Sequence, residues 1–308
     1  MEVIVARGGM LTTIQDLGRP GHRAMGVPTG GAADALALRF ANLLVGNPED
    51  AAALECTLIG PDLIFPRETT IAVGGAAFDS IPSWQPVVVR EGQKIHFGRC
   101  RAGARSYVAF AGGVDGKVVM GSRSTYLRGS FGGLNGRALR DGDTLRVAAW
   151  TPSSALGHWH IDPRVLPVYS PLPTLRVVCG THVSEYNERW LGSEFKVTPQ
   201  SDRMGVRLNG PALERNNSRE LFSSAVAPGT VQVPPNGQPI ILLADAQTIG
   251  GYPKLAHVIG VDLPLVAQLR PGNAVRFRKV SLAEAHRLWL ERERSLAVLR
   301  EGLAQKFR

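Results

Sequence analysis

The chain has 308 residues, 44% hydrophobic and 20% charged, the balance of a globular protein of about two domains rather than a disordered, collagenous or fibrous one. Its 35 glycines and 21 prolines against 6% aromatic residues favour many short strands joined by turns over long helices. The formal net charge is +9, yet only six of the 35 basic residues are lysine and the arginines are dispersed, a pattern that suits anionic small molecules and lacks the clustering of a nucleic-acid module.

Residues 1–7 open with an acid and hold only a short apolar run, so they do not read as a signal peptide. No stretch approaches the roughly 18 apolar residues of a membrane-spanning helix. Cys56, Cys100 and Cys179 are too far apart for a disulfide framework and include no CxxC pair for zinc. The expectation is a soluble, cytoplasmic protein with reduced cysteines and no membrane partner.

Residues 13–34 mix glycine, proline and polar side chains and lead into a helix over residues 34–45, N-capped by Asp34 and closed by Gly46-Asn47-Pro48. The backbone N–H groups at that N-terminus can receive an anion, with Gln15 and Arg19 as candidate substrate-binding side chains; a plain loop capped by Asp34 is the alternative. A turn and alternating strand then recur at 89–97, 139–147 and 269–277, which hints that a β unit occurs twice. Residues 122–137 hold three arginines, several hydroxyls and four glycines. Arg123, Ser124, Tyr126 and Arg128 are candidate binding residues for a carboxylate or phosphate there, against a flexible surface loop.

Five prolines between 150 and 173 mark a linker and divide the chain into an N-terminal unit, 1–160, and a C-terminal unit, 161–308. In the second unit Arg203 either presents its guanidinium to a ligand or braces a turn with Asp202. An apolar strand over 240–244 then delivers Asp245 and Gln247 into a Gly-Gly turn that presents Tyr252 and Lys254. We expect Asp245, Tyr252 and Lys254 to be catalytic and Gln247 to hold an amide, the alternative being a turn satisfied by Asp245 beside a solvated Lys254. Ser281 and Glu284 form a capping box, and the spacing of Leu282, Ala285, Trp289, Leu296, Leu299 and Leu303 predicts a terminal helix over 281–305, packed on the protein rather than free in a coiled coil.

Several motifs are missing. Gly112-Gly113-Val114-Asp115-Gly116-Lys117 has the wrong spacing for a P-loop, and no dinucleotide fingerprint, GxSxG or HExxH occurs. His158-Trp159-His160 lacks a third ligand, so no metal site is expected.

Taken together, Thr13-Ile-Gln-Asp-Leu-Gly-Arg-Pro-Gly21, Gly26-Val-Pro, Gly30-Gly-Ala, Leu44-Val-Gly-Asn-Pro48, Ser122-Arg-Ser-Thr-Tyr-Leu-Arg-Gly129, Ser201-Asp-Arg-Met-Gly205 and Ala244-Asp-Ala-Gln-Thr-Ile-Gly-Gly-Tyr-Pro253 strongly resemble one family. It is the KipA or allophanate-hydrolase-subunit-2 family of biotin-dependent carboxyltransferase-like proteins, which includes the 5-oxoprolinase C subunit. The resemblance, over residues 3–285, implies a mainly β fold of two tandem cyclophilin-like barrels with few helices. It also implies one of three roles. The first is the C subunit of an ATP-dependent 5-oxoprolinase, acting with KipI-like and LamB/YcsF-like subunits to open 5-oxoproline to L-glutamate, with ATP and magnesium shared with a partner. The second is transfer of a carboxyl group from carboxybiotin to urea or a related amide, with biotin carried by a partner, since no biotinyl-lysine motif occurs here. The third is non-catalytic antagonism of KipI. We expect the first, with an isolated chain inactive. The chain departs from the family where Cys179-Gly180-Thr181-His182 replaces the usual Gly-Pro-Gln, and Thr181 and His182 carry no assigned role.

Overall fold

The computed structural model describes residues 1–148, 160–217 and 219–306. His158, Trp159 and linker residues 150–157 lie outside the described residues. The chain packs into two units, neither of them a single stretch of sequence. Met1–Arg19, Gly30–Pro167 and Ser295–Arg308 form the first; Pro20–Thr29 and Val168–Arg294 form the second.

The first unit places its strands in two sheets. One runs in the order Leu11–Gln15, Ala53–Thr57, Arg105–Phe110, Thr69–Gly75, Pro86–Val89; the other runs Lys94–His96, Asp62–Ile64, Glu2–Arg7, Thr144–Arg146. Alternation in Glu2–Arg7 turns Val3 and Val5 inward, where they join Leu54, Leu63, Phe65, Ile71, Val108 and Phe110 in one apolar core. Helix α1 (Ala35–Leu44) covers the five-stranded sheet, packing Ala37, Phe40, Ala41 and Leu44 with Ala53, Ala72 and Ala109. The approach is close because Gly74 lacks a side chain: a Cβ there would lie 2.5 Å from the Ala37 carbonyl oxygen. Asp34 caps α1 by accepting from the Ala37 N–H at 2.9 Å, and Gly46, at φ +75°, ends it.

The second unit closes seven strands into a barrel, in the order Thr174–Cys179, Lys254–Val258, Thr230–Gln232, Ile240–Leu242, Gly205–Asn209, Phe195–Val197, Ala274–Lys279. A parallel pairing of the last with the first completes the circuit. Leu175, Val177, Trp190, Phe195, Val231, Ile241, Leu255 and Phe277 fill it. The protein is mainly β, and among the described residues only three helices longer than a single 3-10 turn occur: α1, α2 (Leu263–Ala267) and α3 (Leu282–Ala304).

The thrice-repeated motif folds into one kind of turn. Gly92, Gly142 and Gly272 all adopt φ between +74° and +87°. In each copy the backbone N–H of the arginine two residues earlier donates to the side chain just after the glycine: Arg90 to Gln93 at 2.9 Å, Arg140 to Asp143 at 2.7 Å, Arg270 to Asn273 at 2.9 Å. The repeat therefore reports turn chemistry that needs a side-chain oxygen at the fourth position.

At the C-terminus the capping contact forms, Glu284 N–H to Ser281 Oγ at 3.1 Å. Leu296 and Leu303 are buried, and Leu296 joins the cluster that holds α1. The front of the expected stripe differs: Leu282 is 58% exposed. Trp289 instead lies over the bare backbone of Gly260, with the Arg292 guanidinium 4.4 Å from its ring centroid and donating to the Gly260 carbonyl. Arg292 is thus part of the packing and does not interrupt it. No described helix is long and apolar enough to cross a membrane.

Candidate functional site

In the second unit, strand Ile240–Leu242 runs into residues 243–248, and the Asp245 N–H donates to the Arg203 carbonyl at 3.0 Å. The Arg203 guanidinium returns two hydrogen bonds to the Asp245 carboxylate, Nε to Oδ2 at 2.8 Å and Nη2 to Oδ1 at 3.0 Å. Both side chains are at least 95% buried, so this forked pair is shielded from water and fixes the turn.

Lys254 starts the strand Lys254–Val258 and is 7% exposed. Its Nζ donates to Ser224 Oγ, and no described carboxylate lies within ion-pair distance. The backbone around it is clamped. Gly180 N–H donates to the Leu255 carbonyl at 2.9 Å and His182 N–H to the Lys254 carbonyl at 3.1 Å, while His182 Nδ1 accepts from Lys254 N–H at 3.1 Å. A Cβ on Gly180 would sit 2.2 Å from the Lys254 carbonyl oxygen, so only glycine fits there. Gly180 and His182 thus hold the backbone at Lys254 in place. His257, on the same strand, is held below the ordinary histidine pKa, chiefly by burial and then by the positive charge of Lys254.

Two amides face one another beside this lysine's strand. Gln232, fully buried and in register with Lys254, accepts from Gln247 Nε2 at 3.4 Å and donates to the Tyr252 carbonyl at 3.4 Å. Tyr252 is half exposed and lines a cavity of about 760 Å³ with Tyr186, Leu213, Arg215, Val233 and Pro234.

The first unit has a cluster of its own, centred on Asp16. This buried carboxylate accepts from Ser122 Oγ at 2.6 Å, Ser124 Oγ at 2.5 Å, Arg123 N–H at 2.5 Å and Gly18 N–H at 2.7 Å, so it ties the two Gly-rich loops of this unit together. Arg19 is fully buried; its guanidinium donates to the Ser124 carbonyl at 2.5 Å and lies 4.9 Å from the Phe131 ring centroid. Gln15 is buried and donates to Thr13 Oγ1 and the Thr125 carbonyl. Arg123 is half exposed, 3.8 Å from Asp115, and Tyr126 packs edge-on against Phe131. Arg128 lies on the accessible rim.

The N-terminus of α1 is filled by the chain itself. Asp34 caps it, Ala33 N–H donates to Glu55 Oε2 at 2.9 Å, and Asp34 N–H donates to the Tyr107 hydroxyl, which itself donates to Glu55. An incoming anion there would meet two carboxylates, so the capping alternative holds.

The structure gathers Lys254, Gln247 and Tyr252 around residues 247–254, places Asp245 and Arg203 together as a pair, and sets Ser124, Arg19 and Gln15 in the Asp16 cluster. Sequence reasoning overlooked Asp16, Gln232 and Ser224. An Asp two residues before a turn glycine was the available signal for Asp16; Gln232 and Ser224 become neighbours of the lysine only through strand pairing.

Residues 25–279 match the family model of the carboxyltransferase domain, subdomain A and B. The chain is 39% identical over 307 residues to the 5-oxoprolinase C subunit of Haemophilus influenzae, covering 96% of each protein. It is 40% identical over 297 residues to that of Escherichia coli, covering 91% of this chain and 92% of the relative. Among solved structures, the K. lactis urea amidolyase superposes with a TM-score of 0.89 at 30% identity, over 97% of this chain and 20% of that one. The chain therefore belongs to the carboxyltransferase domain family that spans subdomains A and B.

Proposed function

We propose that this chain is the C subunit of an ATP-dependent 5-oxoprolinase that works with KipI-like and LamB/YcsF-like subunits to open 5-oxoproline to L-glutamate. The match to two 5-oxoprolinase C subunits over more than nine-tenths of both partners carries this reading. The chemistry of the second unit is compatible with it. A lactam presents an N–H and a C=O to paired amides such as Gln232 and Gln247, and Lys254 offers a cation where negative charge builds on the amide oxygen. Asp245 enters as the partner that orients Arg203, and Tyr252 as a hydroxyl at the rim.

The donor set fits an anion better than a magnesium ion: among the described residues no three of His, Cys, Asp and Glu come together. In this proposal Arg123 and Arg128 bind an anionic group on the first unit, and one of the partner proteins supplies the magnesium ligands. Bound ATP supplies the phosphoryl group that makes the ring amide electrophilic. This chain's residues bind and orient the lactam and hold the ammonium of Lys254 against its oxygen.

Reconstitution tests the proposal. The chain mixed with its two partner proteins should convert 5-oxoproline to glutamate only with ATP, and omission of the chain should abolish turnover; equal turnover by the partner pair alone refutes it. The urea amidolyase likeness favours a second reading, carboxyl transfer from a biotinylated partner, and that reading requires inhibition by avidin.

A further inference from the structure

Strand Thr174–Cys179 pairs antiparallel with Lys254–Val258, with Val178 opposite His257 and Cys179 opposite Ala256. In such a ladder two residues that face each other as a hydrogen-bonded pair exchange both bonds, N–H to C=O in each direction. Past Cys179 the chain leaves the sheet, and the exchange with Lys254 is completed in another way. His182 makes one of the two bonds with its backbone, donating its N–H to the Lys254 carbonyl at 3.1 Å. Its own carbonyl is taken by the 3-10 turn Val183–Glu185, where it accepts from the Glu185 N–H at 3.0 Å. The second bond therefore falls to the side chain, and Lys254 N–H donates to His182 Nδ1 at 3.1 Å.

A backbone N–H can only donate, so Nδ1 presents its lone pair and the ring proton sits on Nε2. The Thr181 hydroxyl, 2.9 Å from the same nitrogen, is then a second donor to it. Lys254 is the first residue of its strand, and Pro253 before it has no N–H with which to fix the chain. The direction of the backbone at this point sets where the buried ammonium lies against Ser224 Oγ. We infer that His182 is a positioning residue whose neutral imidazole stands in for a strand carbonyl and so fixes the Lys254 ammonium in the site. The inference rests on the proposed function only for what that ammonium does during turnover.

Two variants of the full chain test it: His182→Leu, which keeps most of the bulk without an acceptor, and His182→Asn, whose Oδ1 can stand where Nδ1 does. In the enzyme assembled with both partner proteins, His182→Leu should lower kcat for 5-oxoproline by about 10- to 100-fold with KM little changed, the pattern of a charge misaligned with the transition state. His182→Asn should recover most of that loss. A second measurement uses the chain alone and needs no turnover. The pKa of His257 is depressed by burial and then by the charge of Lys254, so its imidazole, followed by NMR, reports where the ammonium lies. It should titrate at higher pH in His182→Leu and as in the parent in His182→Asn. A parent assembly that leaves 5-oxoproline intact refutes the proposed function, and the His257 titration then decides the inference by itself. Parent-like titration or unchanged kcat in His182→Leu overturns the inference, as does an Asn variant that behaves like the Leu variant.

Discussion

Asp245 and Lys254 are both buried and only nine residues apart, yet their surroundings make them differ as targets for mutation. Asp245 accepts both arms of the Arg203 fork, so Asp245→Ala leaves a guanidinium buried without its counter-charge. We expect a loss of about 3–5 kcal/mol in unfolding free energy, measured by urea denaturation, which would lower activity whether or not Asp245 touches substrate. Lys254→Met removes a cation that has no carboxylate partner, so stability should hold while turnover of the assembled enzyme falls by about 100-fold or more. His257 reports on the same charge. Burial and Lys254 together depress its pKa, so the folded state binds this proton less readily than the unfolded chain, and stability falls as pH drops below about 6.5. In Lys254→Met the His257 imidazole, followed by NMR, should titrate at higher pH than in the parent.

At the scale of elements, the three repeated turns share a backbone but differ in the acceptor, and only Asp143 titrates. Its carboxyl is held below the usual carboxylate range, first by the Arg137 guanidinium, which donates at 2.6 and 2.7 Å, despite the opposing effect of burial. The sign follows: Asp143 contributes stability above the ordinary aspartate pKa of about 4 and loses it as pH falls further. Asp143→Asn should keep the turn, as Asn273 does in its own copy, while flattening the acid limb of a stability-versus-pH curve. The Gly-rich loop of the Asp16 cluster gives a steric contrast. Gly132, at φ +73°, has the Ser124 carbonyl oxygen 2.0 Å from where a Cβ would stand, whereas Gly121, at φ +78°, has nothing within 4 Å. Gly121→Ala should cost about 1–2 kcal/mol from backbone conformation alone. Gly132→Ala should cost clearly more and disturb the Asp16 hydrogen bonds, an outcome that paired thermal melts would show.

For the whole molecule, the sequence order of segments is not their packing order. The last part of α3 belongs to the first unit, and its Leu296 joins the cluster that buries α1, far earlier in the chain. Leu296→Ala should therefore destabilise the first unit by about 2–4 kcal/mol, and hydrogen exchange at the amides of α1 should accelerate although α1 itself is unaltered.

What the sequence determined by itself is whatever depends on near neighbours. The cap of α1 at Asp34, the Gly46 stop, the three glycine turns, the Ser281 cap of α3 and the mainly β character all rest on residues within a few positions of one another, where propensity and turn chemistry act directly. Motif order was also legible there, and it pointed to the family. Only the tertiary structure decided which polar groups meet. Asp16 gathers residues 122–124, Arg203 finds Asp245, Ser224 receives Lys254, and Arg23 reaches Val226 across 203 positions. Such contacts depend on strand register and barrel closure, which bring distant residues together after long loops have been closed. No local pattern in the chain encodes them.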